Sequence, residues 1–231
     1  MLDELKQQVY DANMALQRAG LVLLTWGNVS GRDPDSGLVA IKPSGVEYAE
    51  MTPAQMVVVD IEGEVIEGEL RPSSDTPTHL ELYRSFPAIG GVAHSHSTAA
   101  TAWAQAGRSL PCYGTTHADQ FRGPVPVTAE MSPEAVGGDY ELETGKAIVR
   151  VFESLDPAEI TAVLVAGHGP FTWGATPQAA TENSIVLEHV ALIGLLTEAL
   201  NPSVTNITAF LRDRHFLRKH GDEAYYGQSD S

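Results

Sequence analysis

The apolar residues of this chain come in short blocks. LVLLTW (21–26), LVAIK (38–42), MVVVD (56–60), IGGVAHSH (89–96) and residues 160–166 are each about as long as one strand, with Gly, Pro or Asp close by. Helical spacing fills much of the rest. Leu2, Leu5, Val9, Ala12 and Leu16 recur at intervals of three and four, and Gly20 stops that helix. Thr52-Pro53 suits one helical turn, Thr76-Pro77 opens a helix to about Phe86, and Thr176-Pro177 opens the longest one, about 177–200. Further helices are expected over 98–106, 143–155 and 203–220, strands and loops over 110–128, and a strand or turn over 170–173. No repeat or linker interrupts the pattern, so residues 1–231 read as one α/β domain, long enough to bury a core without disulfide staples.

Charge narrows the function. Lys and Arg number 14 against 30 Asp and Glu, a formal charge of −16, which repels nucleic-acid backbones and anionic membranes. The one cysteine, Cys112, makes no internal disulfide framework, which suits a reducing compartment. The first residues lack a signal-peptide pattern, and no uninterrupted apolar run reaches about 18 residues. A cytoplasmic protein is therefore expected, with neither nucleic acid nor membrane as partner.

The most informative local motif is His94-Ser95-His96 at a strand end. Residues two apart on a strand point to the same side, so both imidazoles can face one cation. A second apolar strand runs into Gly167-His168-Gly169, where the glycines leave a histidine exposed at a turn. Three imidazoles with an open fourth position suit a catalytic Zn²⁺, although Mn²⁺ or Co²⁺ also fit such ligands. Asp75, just before a helix, is a fourth ligand, a nearby proton acceptor, or simply a helix N-terminal acid. His79 and His189 fall within helices and His220 within a basic surface stretch, while pattern alone does not place His117 or His215.

Three loops carry the donors that hold anions: Gly27-Asn28, Ser44-Gly45 beside Lys42, and Ser73-Ser74. Each taken alone is also an ordinary turn. There is no Walker motif, dinucleotide fingerprint or G-x-S-x-G elbow, which argues against nucleotide binding and serine hydrolysis.

Seven segments then carry a resemblance: TWGNVS, IKPSGVEY, PSSDTPTHLELY, HSHS, GTTHAD, HGPF and HFLRKHGDEAYYGQ. In this order and spacing they resemble the class II aldolase/adducin family, and within it the L-ribulose-5-phosphate 4-epimerases, over nearly the whole chain to Gln228. The resemblance implies a three-layer α/β/α sandwich around a mainly antiparallel sheet. It also implies a homotetramer with active sites between subunits. Zinc would sit on His94, His96 and His168 with Asp75 beside them. Gly27, Asn28, Lys42, Ser44, Gly45, Ser73 and Ser74 match substrate- and phosphate-binding positions. Asp119 and Tyr226 match the proton-transfer pair, reaching the zinc from an adjacent subunit, and Thr115, Glu141 and His215 fall at further active-site positions.

The implied reaction interconverts L-ribulose 5-phosphate and D-xylulose 5-phosphate. The hydrogen on carbon 4 is not acidic, so the bond between carbons 3 and 4 is cleaved and re-formed on the other face, with Zn²⁺ as the Lewis acid. Inversion places proton transfers on opposite faces, which suits two separated groups. The rival implication is a class II aldolase of the L-fuculose-1-phosphate type, whose members typically carry Glu where Asp75 stands. Adducin-type relatives serve in cytoskeletal interaction instead, and need not retain the histidines present here.

Overall fold

The computed structural model describes residues 2–221 and 224–227. Helix α1 (Leu2–Arg18) leads into strands β1 (Asn28–Arg32), β2 (Val39–Ile41), β3 (Val57–Val59) and β4 (Val65–Glu67). Next come α2 (Thr76–Ser85), β5 (Gly91–His94), α3 (Thr98–Gln105) and the short helices α4 (Thr115–Ala118) and α5 (Pro133–Gly137). The chain continues through α6 (Tyr140–Val151), β6 (Ala162–Val165), β7 (Gly169–Gly174), α7 (Pro177–Leu200) and α8 (Ala209–His220). The seven strands form one sheet in the order β4-β3-β2-β1-β5-β7-β6, antiparallel at every ladder.

Strand alternation sends side chains to both faces, and helices cover both. Val92, Phe171 and Trp173 pack on one face with Leu82 and Tyr83 of α2 and Ile148 of α6. On the other face, Val29 and Ala93 meet Leu16 of α1 and Ala180 of α7, and Ala162 and Leu164 meet Trp103 of α3 and Leu187 of α7. The result is a three-layer α/β/α sandwich around an antiparallel sheet, as the resemblance implies. Helix α8 stands apart from the sheet and packs on α4.

Several boundaries depart from the sequence expectation for physical reasons. The block 21–26 is not a strand: Trp26 N–H closes a turn on Leu23 C=O, and Leu24 takes a left-handed φ of 54°. Leu21 is buried in the core, but Leu23, Leu24 and Trp26 stay outside it, 67%, 73% and 51% exposed. The strand that forms instead is NVSGR, whose Val29 N–H and C=O are both bonded by the Asn13 side chain of α1. The last helix begins at Ala209 rather than near 203. Residues before it are tied down by the bond from Ile207 N–H to Cys112 C=O, and Thr208 caps the helix through Leu211 N–H. Helix α6 begins earlier than expected, at Tyr140, which places residues 140 and 141 at the functional end.

Helix α7 is long and apolar enough by length and composition to cross a membrane, although Glu182, Glu188 and Glu198 interrupt its apolar run. It packs as a core helix on one side, where Trp103 donates its indole N–H to Ala191 C=O. Glu188 meanwhile accepts from Ala99 and Ala100 at the start of α3. Its other side leaves Leu192, Ile193, Leu196 and Leu200 exposed.

Candidate metal centre and active-site cavity

Sheet order explains why distant residues meet. Strand β1 lies between β2 and β5 and runs antiparallel to both, so its start adjoins the ends of its two neighbours. Asn28 pairs across the ladder with His94, and His94 pairs with Phe171 of β7. His168 lies in the turn of the β6–β7 hairpin. One end of the central strands thus collects all three histidines.

Their donor nitrogens converge. Nε2 of His96 lies 3.1 Å from Nε2 of His94 and 3.1 Å from Nε2 of His168, and the three can be taken within 4.8 Å of one another. His94 stacks on Phe171 with ring centroids 4.2 Å apart, and its Nδ1 donates to Pro170 C=O at 2.9 Å. That bond puts the proton on Nδ1 and leaves Nε2 as a lone pair. Nδ1 of His168 lies 3.2 Å from the Tyr140 hydroxyl. Lone pairs facing each other at this distance need a shared proton or a cation between them. Burial lowers the pKa of His96 and brings that of His168 down to about 4, so both are neutral ligands near pH 7. The donor set therefore fits a metal ion.

Asp75 is beside this group rather than within it. Its Oδ2 accepts from Asn28 Nδ2 at 2.6 Å. Burial pushes its carboxyl up, but His94, His79 and the Asn28 bond outweigh that, and it stays below the ordinary carboxylate value. His79 is wholly buried behind it, bonded through Nδ1 to Ser30 Oγ at 2.7 Å, and burial holds its pKa down at about 3. It is neither exposed nor a surface base.

The three loops reach the same place. A cavity of about 390 Å³ is lined by the histidines and Asp75 on one side and by Gly27, Asn28, Lys42, Ser44, Gly45, Ser73 and Ser74 on the other. Gly27 has φ 74°, and a Cβ there would come within 2.9 Å of His94 C=O, so only glycine fits. Gly45 has φ 69° with open space around it, so there the backbone angle alone calls for glycine. Loop joins loop through Ser44 N–H to Arg71 C=O and Ser73 N–H to Lys42 C=O, at 2.9 and 3.0 Å. Lys42 itself is buried, with its ammonium on backbone carbonyls. Glu141 also lines the cavity, as do Trp26 and Tyr140. Tyr140 was not singled out from the sequence. Its only signal there is a place beside an acidic pair at a helix start, which many exposed tyrosines share.

Asp119, Thr115, His215 and Tyr226 are absent from that lining and gather elsewhere. Asp119 closes α4, begun by Thr115, and is bonded by His215 Nδ1 at 2.9 Å and by Arg218 at 3.0 and 2.6 Å, with Lys219 at 3.7 Å. Tyr226 lies against the same helix, its ring under Arg218 and Lys219 at 5.1 and 4.4 Å. The single chain thus holds two clusters. Gln228, the end of the matched segment, lies outside the described residues.

With the geometry in place, the chain matches known proteins at both levels. Its residues 7–195 match the family model for the class II aldolase and adducin N-terminal domain. An L-fuculose 1-phosphate aldolase is similar in structure, with 26% identity, a TM-score of 0.78, and coverage of 92% of this chain and 94% of that one. The L-fuculose-1-phosphate aldolase of Thermus thermophilus is 26% identical, with a TM-score of 0.66 over 88% and 98% of the two chains. YgbL of Klebsiella pneumoniae, a candidate aldolase/epimerase/decarboxylase, is 25% identical with a TM-score of 0.74 over 93% and 98%. A three-imidazole cavity at the end of an antiparallel sandwich and a family match over most of its length give one conclusion: this chain belongs to the class II aldolase and adducin family, as an enzyme of its aldolase/epimerase superfamily.

Proposed function

We propose that the chain, as one domain over residues 1–231, is a zinc-dependent L-ribulose-5-phosphate 4-epimerase. The carrying observation is the division of labour just described. Three imidazoles, a carboxylate and three anion-type loops share one cavity, while Asp119 and Tyr226 are held together on a separate surface. A zinc ion on His94, His96 and His168 would supply a Lewis acid for the ketose oxygens. Asp75, ionised and fixed by Asn28, stands ready beside it to accept a proton. Backbone and hydroxyl donors of the Ser44–Gly45 and Ser73–Ser74 loops would hold the phosphate at the far side. Asp119, ionised, and Tyr226, with its phenolic O–H, would exchange protons with the carbon 4 oxygen on opposite faces.

The last step needs a second copy, and this supports the homotetramer as part of the proposal. The apolar outer side of α7 and the turn at Leu23, Leu24 and Trp26 have no cover among the described residues, and Trp26 lies at the cavity mouth against His96 with ring centroids 5.8 Å apart. Contact there would set a neighbouring copy beside the cavity mouth, where the proposal requires its α8 cluster. The single buried cysteine and acidic composition suit a cytoplasmic enzyme.

Zinc-loaded protein incubated with L-ribulose 5-phosphate should yield D-xylulose 5-phosphate. The similarity to L-fuculose 1-phosphate aldolases supports a second reading, a sugar-phosphate aldolase. Release of glycolaldehyde phosphate faster than epimerisation would decide for that alternative, and turnover of neither kind would overturn both.

A further inference from the structure

We propose that Lys42 and Tyr48 form a positioning clamp that holds the anion-facing loops in register, and that the Lys42 ammonium acts through those loops rather than on the phosphate. The inference rests on the phosphate-binding reading of the cavity and deepens it.

A lysine ammonium has three N–H donors and no acceptor. Those of Lys42 face three carbonyls: Thr25 at 3.2 Å, Pro43 at 3.3 Å and Val46 at 3.0 Å. The side chain is 2% exposed and its Nζ lies 5.0 Å from the centre of the Tyr48 ring. No carboxylate among the described residues bonds it. Its donors are therefore committed, and a phosphate could gain one only by releasing a loop carbonyl. Burial lowers its pKa to about 8, as for an ammonium solvated by dipoles alone.

Tyr48 completes the clamp from the same side. Its hydroxyl lies 3.2 Å from Trp26 C=O and 3.0 Å from Gly27 C=O, and the side chain is buried. A trans peptide points its C=O and N–H in opposite directions. Drawing Trp26 C=O toward Tyr48 therefore turns the Gly27 N–H away from it, at a residue that lines the cavity. Lys42 C=O also accepts from Ser73 N–H, so one residue ties segments 25–27, 43–46 and 71–73 together. Each of these segments carries or adjoins a candidate anion donor.

The test uses Lys42→Met, Tyr48→Phe and the double variant in the zinc-loaded full-length protein. Hydrogen exchange of peptides covering residues 23–28 and 42–48 is followed without ligand, and binding of inorganic phosphate is measured by titration. The clamp predicts faster exchange in both segments for each single variant. It also predicts roughly tenfold weaker phosphate binding in each, the usual weight of one hydrogen bond to a charged group, with the double variant little worse than either. For the sugar phosphate, KM should rise with little change in kcat. If Lys42→Met alone weakened phosphate binding, with exchange and binding unchanged in Tyr48→Phe, Lys42 would be a direct ligand and the clamp would be overturned. If the unmodified protein bound no phosphate, the anion-site reading would fall. The exchange data would still decide the clamp: faster in both variants supports it, unchanged in both overturns it.

Discussion

The histidine cavity and the α4–α8 cluster are opposite kinds of polar site. In the cavity, imidazoles point nitrogens at one another, with Nε2 atoms 3.1 Å apart and no side-chain cation of the described residues among them. In the cluster, one carboxylate, Asp119, is matched by His215, Arg218 and Lys219. The first is held by strand ends and a hairpin, which core packing makes rigid. The second is held by a four-residue helix and the C-terminal helix, mainly through charge. A site built to receive a cation needs fixed lone pairs. The cluster stays assembled without a ligand through its internal ion-pair network, which is what the proposed proton donation to a neighbouring copy would require.

Removing a metal ligand tests the contrast most severely. His96→Ala should cut bound metal to a small fraction and turnover by more than about a hundredfold, while the Asp119 ion pairs and the fold persist. Elemental analysis with a rate assay reads both, and retained stoichiometric metal would exclude His96 as a ligand. Tyr226→Phe should also lower turnover, by roughly two to four decades, but with metal content unchanged. Mixing the two variants as unfolded chains and refolding them together sharpens the point. If sites are shared, hybrid oligomers pair an intact cavity with an intact Tyr226 and activity returns; no return would place both clusters' work within one chain.

A smaller effect is expected at Tyr140. Its hydroxyl lies 3.2 Å from Nδ1 of His168, and loss of such a support typically weakens metal affinity by about ten- to a hundredfold. Tyr140→Phe should therefore lose zinc to a chelator sooner than the parent. Equal chelator resistance would remove Tyr140 from the centre's support.

The smallest effect is acid sensitivity of the cluster. Burial raises the Asp119 carboxyl, but bonds from Arg218 and His215 and the Lys219 charge outweigh it, so its folded pKa is depressed. A depressed carboxylate adds stability that is fully present above the unfolded value of about 3.9. That stability is lost as pH falls through the lower folded value. The thermal midpoint should thus fall in that acid range, and Asp119→Asn should flatten that part of the profile; an unchanged acid limb would show that the ion pairs contribute nothing there.

Much of this is legible in the order of residues. The His94-x-His96 spacing and the glycine-flanked His168 carry their geometry locally, because strand alternation and a turn are short-range facts. Helices α1, α2 and α7 show themselves through spacing and Thr-Pro starts. The block 21–26 misleads because Leu23, Leu24 and Trp26 face outward, and a single chain's pattern does not say which surface covers them. Strand β1 escapes notice because NVSGR has little apolar content and is stabilised by Asn13 from α1. Tyr140 and the bonds of Lys42 are invisible for the same reason: both depend on partners away from their own segment.

By itself, then, the sequence determined most of the helices and strands and the histidine spacing that suits a metal ion, because these follow from local spacing and residue type. The tertiary structure alone decided strand order, and with it the meeting of Asn28, His94 and His168 at one end of the sheet. It also decided that Asp119 and Tyr226 join a different surface, because long-range packing and ion pairing, not periodicity, choose which distant residues become neighbours.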